Sequence, residues 1–166
     1  MRQIKLSARL QTIADFIEEG ASVADIGSDH GYLPVYLALS GKARRIIASD
    51  MSAGSLAAAR RSAEKYGVSD KIEFVVAPGL SGIGEIDSAD ATDIDTIVIA
   101  GVGGETIIGI LEEALQAWAG KKLILQPQTK KDELLRYLEE TGIEAPETAL
   151  IRDRGREYTI FSCNIS

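Results

Sequence analysis

Few of the residues that usually announce a chemistry are present. One cysteine, Cys163, and one histidine, His30, are too few soft donors for a zinc or iron–sulfur centre, and no metal is expected. A lone thiol forms no internal disulfide; Cys163 in its strand-like run suits a packing role in a reducing cytoplasm. The apolar runs are short and interrupted, so no membrane span is expected. The opening Met1-Arg2-Gln3-Ile4-Lys5 leads into an amphipathic helix rather than a secretory leader. Basic residues are outnumbered, 18 against 25, for a net charge of −7. That argues mildly against bulk nucleic-acid binding, which depends on neutralising phosphates, although local patches matter more than the total. Repeats, linkers and low-complexity tracts are also missing, and 166 residues make one domain the expectation. The sequence does not define an oligomeric state.

The most informative stretch is Val23-Ala24-Asp25-Ile26-Gly27-Ser28-Asp29-His30-Gly31-Tyr32. An apolar run ends in Asp25, a glycine turn follows, and helix-like sequence begins at Leu33. Asp25 then falls at the carboxyl end of a first strand, where open α/β sheets bind ligands. Gly27 allows a sharp turn and close approach to a ligand, and Gly31 lets the following helix pack near the strand. The dinucleotide fingerprint G-x-G-x-x-G is not here; the spacing is D-x-G-x-D-x-G. Asp29 would repel the pyrophosphate that a helix N-terminus attracts. The turn suits instead a cationic ligand without phosphates, such as S-adenosylmethionine with its sulfonium and ammonium. The competing reading makes Asp25 and Asp29 turn and capping residues.

Periodicity predicts the rest. Leu6, Leu10, Ile13, Ala14 and Ile17 repeat at helical spacing, with Ser7 as cap and Gly20 as stop. Strands are expected over 23–27, 45–50, 72–77, 95–100 and 122–126, and helices over 33–40, 54–66, 105–118 and 131–141. The stretch 81–93 reads as a short helix plus loop, and 147–152 and 157–164 as strands joined by the turn Asp153-Arg154-Gly155-Arg156. Repeated β-α alternation followed by a hairpin predicts an α/β fold: a Rossmann-like, mostly parallel seven-stranded sheet with helices on both faces and an antiparallel C-terminal hairpin. That hairpin is the class I methyltransferase variation; dinucleotide-binding sheets are parallel throughout.

Four motifs carry a family resemblance: Leu6-Ser7-Ala8-Arg9-Leu10, Ala24-Asp25-Ile26-Gly27-Ser28-Asp29-His30, Ile99-Ala100-Gly101-Val102-Gly103-Gly104 and Leu123-Ile124-Leu125-Gln126-Pro127. Together they resemble the bacterial tRNA (adenine-22-N1)-methyltransferases over nearly the whole chain. The resemblance implies S-adenosylmethionine as donor, N1 of a tRNA adenine as acceptor and a cytoplasmic location. It implies that Asp25, Ile26 and Gly27 line the methionine part of the donor, and that Asp50 and Met51 end the second strand beside its ribose. It further implies Gly79 and Leu80 at its adenine, and backbone contacts from Ala100 and Gly101. Two departures stand out. Where the family carries Gly-Asp-Gly-Leu, this chain has Ala77-Pro78-Gly79-Leu80, and Pro78 offers neither a side-chain acceptor nor an N–H. Losing one such hydrogen bond costs roughly 0.5–1.5 kcal/mol. The family also continues into a helical C-terminal domain that helps hold tRNA, and this sequence stops at Ser166.

Adenine N1 is a weak nucleophile, so a carboxylate accepting from the neighbouring exocyclic amine is the expected catalytic group. Asp29 is the first choice and His30 the second; capping and local packing are their structural alternatives. The Asn-Pro-Pro-Tyr motif of exocyclic-amine methyltransferases is missing. For the acceptor, Arg9, Tyr32, Gln126, Lys130 and Arg154 are the candidates: Tyr32 to stack, Gln126 to reach a base edge, and the cations, with Lys131, Arg152 and Arg156, as a phosphate-binding rim. Each has a plainer reading, as packing, strand-end hydrogen bonding or surface ion pairing with Asp132, Glu133, Asp153 and Glu157. Two other functions stay open: methylation of a different nucleic acid or small molecule, and donor binding without catalysis, which Pro78 favours.

Overall fold

A computed structural model describes residues 3–76, 93–144 and 146–166. The strands are β1 (Ala21–Ile26), β2 (Ala43–Asp50), β3 (Glu73–Val76), β4 (Thr96–Val102), β5 (Lys122–Pro127), β6 (Glu147–Asp153) and β7 (Arg156–Asn164). The helices are α1 (Ala8–Asp15), α2 (Tyr32–Ser40), α3 (Ala53–Lys65), α4 (Gly104–Ala114) and α5 (Lys131–Glu140). Pro78, Gly79, Leu80 and the helix expected over 81–93 fall outside the described residues, apart from Asp93.

The strands form one sheet in the order β3-β2-β1-β4-β5-β7-β6. The first five are parallel to their neighbours, while β7 runs antiparallel to both β5 and β6. Two reversals leave β6 parallel to β1 through β5, so its carboxyl end, Asp153, opens at the same sheet edge as Asp25 and Asp50. All six residues of β1 are buried, as befits a central strand covered on both faces.

Period-two alternation sends side chains to two cores. Val23, Ile46, Val98, Ile124 and Ile160 face α1, α2 and α3, meeting Ile13, Leu33, Leu37 and Ala63. Ala24, Ile47, Ile97, Leu123 and Phe161 face α4 and α5, meeting Ile107, Leu111, Leu134 and Leu138. Caps fall where polar residues precede the helical repeats: the Ser7 hydroxyl accepts from the Leu10 N–H at 3.2 Å, and Ser52 from the Ser55 N–H at 3.0 Å.

Three local expectations change. Gly20 does not stop α1, which ends at Asp15; Lys42 Nζ donates to the Ala14 carbonyl and Lys122 Nζ to that of Phe16. Lysines from the starts of two strands thus satisfy the late carbonyls of α1, and Gly20 serves the next turn, its N–H donating to Lys42 O. The helix expected to reach Trp118 ends at Ala114 and tightens into a 3-10 turn, Leu115–Trp118. Gly31, at φ +74°, brings α2 against α3 rather than against a strand. A Cβ there would lie 2.8 Å from the Ala59 Cβ and 2.9 Å from its Cα. Gly31→Ala therefore combines left-handed strain with overpacking against backbone. It is expected to lower unfolding free energy by about 2–4 kcal/mol, measured by urea titration.

Candidate functional site

A cavity of about 1210 Å³ opens at the carboxyl edge of the sheet, over the β1/β4 junction where strand order reverses. Its floor is the end of β1. Asp25 is 5% exposed, and burial pushes its carboxyl up to about 7. The Ser28 hydroxyl and the Arg9 guanidinium pull the other way, and the charge of Asp50 adds a smaller upward push. Ser28 Oγ also donates to the Asp25 carbonyl at 2.9 Å, tightening the turn.

The turn after β1 is tied to the end of β2. The N–H groups of Gly27 and Ser28 donate to the Ser49 carbonyl at 2.8 and 3.2 Å. Asp50 accepts from the N–H groups of Asp29 and Ser52, at 3.3 and 3.4 Å. A carboxylate offers about four acceptor sites, so Asp50 keeps capacity for a ligand hydroxyl. Gly27 has φ +78°, and nothing lies within 4 Å of where a Cβ would stand. Ile26, Gly27, Asp50 and Met51 all line the cavity, Met51 as an exposed lip.

Ala100 and Gly101 form the opposite wall, where register shifts between Ala100 and Val102. Gly101 takes φ +78° in this bulge, and its N–H donates to Gln126 Oε1 at 3.1 Å. Arg9 Nη1 donates to the same oxygen at 2.8 Å, while Gln126 Nε2 donates to Pro127 O and Gln128 Oε1, each at 3.0 Å. The Gln126 amide is fully buried and used up within the protein. That corrects its expected reach to a base edge: it positions Arg9 and the bulge.

Of the residues expected to meet the acceptor, Arg9, Tyr32 and Arg154 border the cavity and Lys130 does not. Lys130 precedes α5 in a left-handed conformation, φ +59°, and pairs with Glu133 at 3.4 Å, so the surface ion pair holds there. Tyr32 is half-exposed and stacks on His30, with centroids 5.5 Å apart. Asp29, at φ +53°, stands at the rim with its side chain 80% exposed, 4.0 Å from His30 Nε2. Sequence reasoning passed over Tyr158 and gave Asp153 only an ion-pairing role. Both line the cavity, and the signal was available: they flank the turn that a hairpin delivers to the ligand edge. Among the described residues no cluster of His, Cys, Asp and Glu could hold a metal.

Comparison with known proteins adds the following. Residues 6–161 match the family model described as a methyltransferase domain. The tRNA (adenine(22)-N(1))-methyltransferase of Bacillus subtilis is 37% identical over 161 residues, 96% of this chain and 65% of that protein. This chain thus spans just under two thirds of that relative's length. The crystal structure of the B. subtilis m1A22 tRNA methyltransferase TrmK superposes with a TM-score of 0.88 at 34% identity, covering 99% of this chain and 68% of that one. M. capricolum TrmK, in complex with the product S-adenosyl-homocysteine, superposes at 0.84 with 28% identity, covering 96% and 68%.

A raised acid pKa has a definite sign. Folding raises the Asp25 value, so above about pH 7 the native state carries a buried charge that the unfolded chain solvates freely. Asp25→Asn removes that cost. The variant is expected to exceed wild type in stability by on the order of 2–4 kcal/mol at pH 8, shrinking steadily towards pH 4, by denaturant unfolding at each pH.

Proposed function

The chain belongs to the methyltransferase-domain family, among the tRNA (adenine-22-N1)-methyltransferases, and from that premise we propose that it methylates N1 of the adenine at position 22 of tRNA with S-adenosylmethionine. The observation that carries this reading is the buried Asp25 carboxyl, poised near neutrality in a cavity whose turn supplies acids where a phosphate cradle has glycines. Such a site fits a cationic donor: its ammonium converts a costly buried charge into an ion pair.

When bound, the donor supplies a methyl group on sulfur, already a good leaving group. The protein's work is placement and electrostatics. Asp25 and the open face of Gly27, with Ile26, hold the methionine end. Asp50 accepts from ribose hydroxyls, with Met51 as a lip. The Ala100–Gly101 bulge, fixed by Gln126, offers backbone beneath the reacting centre. Gly79 and Leu80 are assigned to the adenine wall on the family resemblance alone. Asp29 stands at the rim, open to the acceptor, and Tyr32 and Arg154 flank its approach. The proposed location is the cytoplasm, with tRNA as partner; no described helix is long and apolar enough to cross a membrane.

Two measurements test the reading. Radiolabelled methyl transfer should place one methyl group per tRNA and lose it when adenine 22 is replaced by guanine. Label on other RNA, or none on any, turns the assignment to another acceptor or to a non-catalytic binder. Calorimetry with S-adenosylhomocysteine should show binding about tenfold weaker at pH 6 than at pH 8, because only ionised Asp25 pairs with the ligand ammonium. Asp25→Asn should weaken binding and flatten that dependence.

A further inference from the structure

The cavity has two unlike halves. The β1/β2 half holds Asp25 and Asp50, which the donor occupies under the proposed function. The other half is built where α1 crosses the β6–β7 hairpin. There Asp153 Oδ2 accepts from the Arg9 N–H at 3.3 Å, and the Arg9 guanidinium lies 5.8 Å from the Tyr158 ring centroid. Asp153, Arg154 and Tyr158 border the cavity from that side. Gln126 pins the Arg9 guanidinium from below at 2.8 Å. The cluster thus offers a half-buried carboxylate held by a main-chain donor, an aromatic wall and a fixed cation.

We propose that this cluster is the acceptor-base subsite, with Asp153 as the carboxylate that accepts from the exocyclic amine of the methylated adenine and Tyr158 as the wall against its ring. The inference rests on the function proposed above and adds a catalytic residue to it. Asp29 is the rival acid, and the two differ in how they are held. Asp29 stands on the donor side with an exposed side chain. Asp153 has one oxygen anchored to α1, which leaves its other oxygen to meet a donor in a set direction.

The chemistry needs a carboxylate there. The bond that forms joins N1 to the methyl carbon; the bond that breaks is methyl carbon to sulfur, and its electron pair leaves with sulfur. The positive charge moves from sulfur onto the purine. That charge is shared with the exocyclic amine, so an acceptor at the amine N–H gains strength as the reaction proceeds. No proton has to leave for the charges to balance. Arg9 meets this carboxylate through its main-chain N–H, while its guanidinium Nη1 is held by Gln126 Oε1.

A subsite built this way prefers the product's cation to the neutral base. The test is an NMR titration of the full chain, saturated with S-adenosylhomocysteine, with adenosine and with 1-methyladenosine, cationic at pH 7. Wild type should bind 1-methyladenosine at least about fivefold more tightly. Asp153→Asn should bring that ratio close to one without changing the affinity for S-adenosylhomocysteine, and should slow tRNA methylation by at least about tenfold. Asp153→Glu, which keeps the charge, should keep the cation preference; it serves if the amide variant does not fold. Equal affinities in wild type, or a preference that survives Asp153→Asn and disappears in Asp29→Asn, would falsify the assignment. If wild type neither binds S-adenosylhomocysteine nor methylates tRNA, the functional reading fails and this proposal with it. If it does both and only the ratio is insensitive to Asp153, the function stands and the subsite does not.

Discussion

The amide of Gln126 is the joint on which the site depends. Its oxygen accepts from two donors and its nitrogen donates to two acceptors, all with no solvent contact. Through it β5 fixes the backbone bulge of β4 and the side chain of α1 at once. A buried amide that satisfies all four positions is strongly directional, because any rotation leaves a buried polar group unpaired. One side chain therefore coordinates three elements far apart in sequence, and it fixes the Ala100–Gly101 wall relative to Arg9 and the proposed acceptor wall.

The sheet supplies the other constraint. Parallel strands deliver their carboxyl ends to one edge, and Asp25, Asp50, the Gly101 bulge and Asp153 all gather there. The acids are of different kinds. Asp25 lies deep and is costly to charge, Asp50 is partly satisfied by turn amides, and Asp29 is at the rim. Under the proposed function, Asp25 and Asp50 lie on the donor side of an overall acidic chain, while Arg9 and Arg154 border the acceptor side and Arg156 lies 6.0 Å from the Tyr158 ring centroid.

Most of the fold was legible from sequence because its signals are local. Ser7 and Ser52 cap where a hydroxyl precedes a helical repeat, and Arg154-Gly155 turns the hairpin with φ +52° and +78°. The family motifs carried the β1 turn and the Ala100–Gly101 wall. What stayed hidden was long-range. Nothing near Gln126 in sequence indicates that its amide is consumed by Arg9, 117 residues away. The end of α1 is set by Lys42 and Lys122, which no pattern around Gly20 reveals. Asp153 looked like a salt-bridge partner because its neighbours are arginines; its meeting with α1 exists only once β6 has been placed at the sheet's edge.

The insertion of β7 between β5 and β6 has a consequence for how such a protein can change. The proposed acceptor-side groups Asp153, Arg154 and Tyr158 sit on one hairpin at the sheet margin, while the proposed donor-side groups Asp25 and Asp50 ride on central strands. Central strands are locked by neighbours on both sides, whereas a hairpin tip tolerates replacement with little cost to the core. Drift or grafting at that tip can thus explore new methyl acceptors while the donor half is inherited intact. Under the proposed function, the layout makes substrate range an exchangeable part and cofactor use a fixed one.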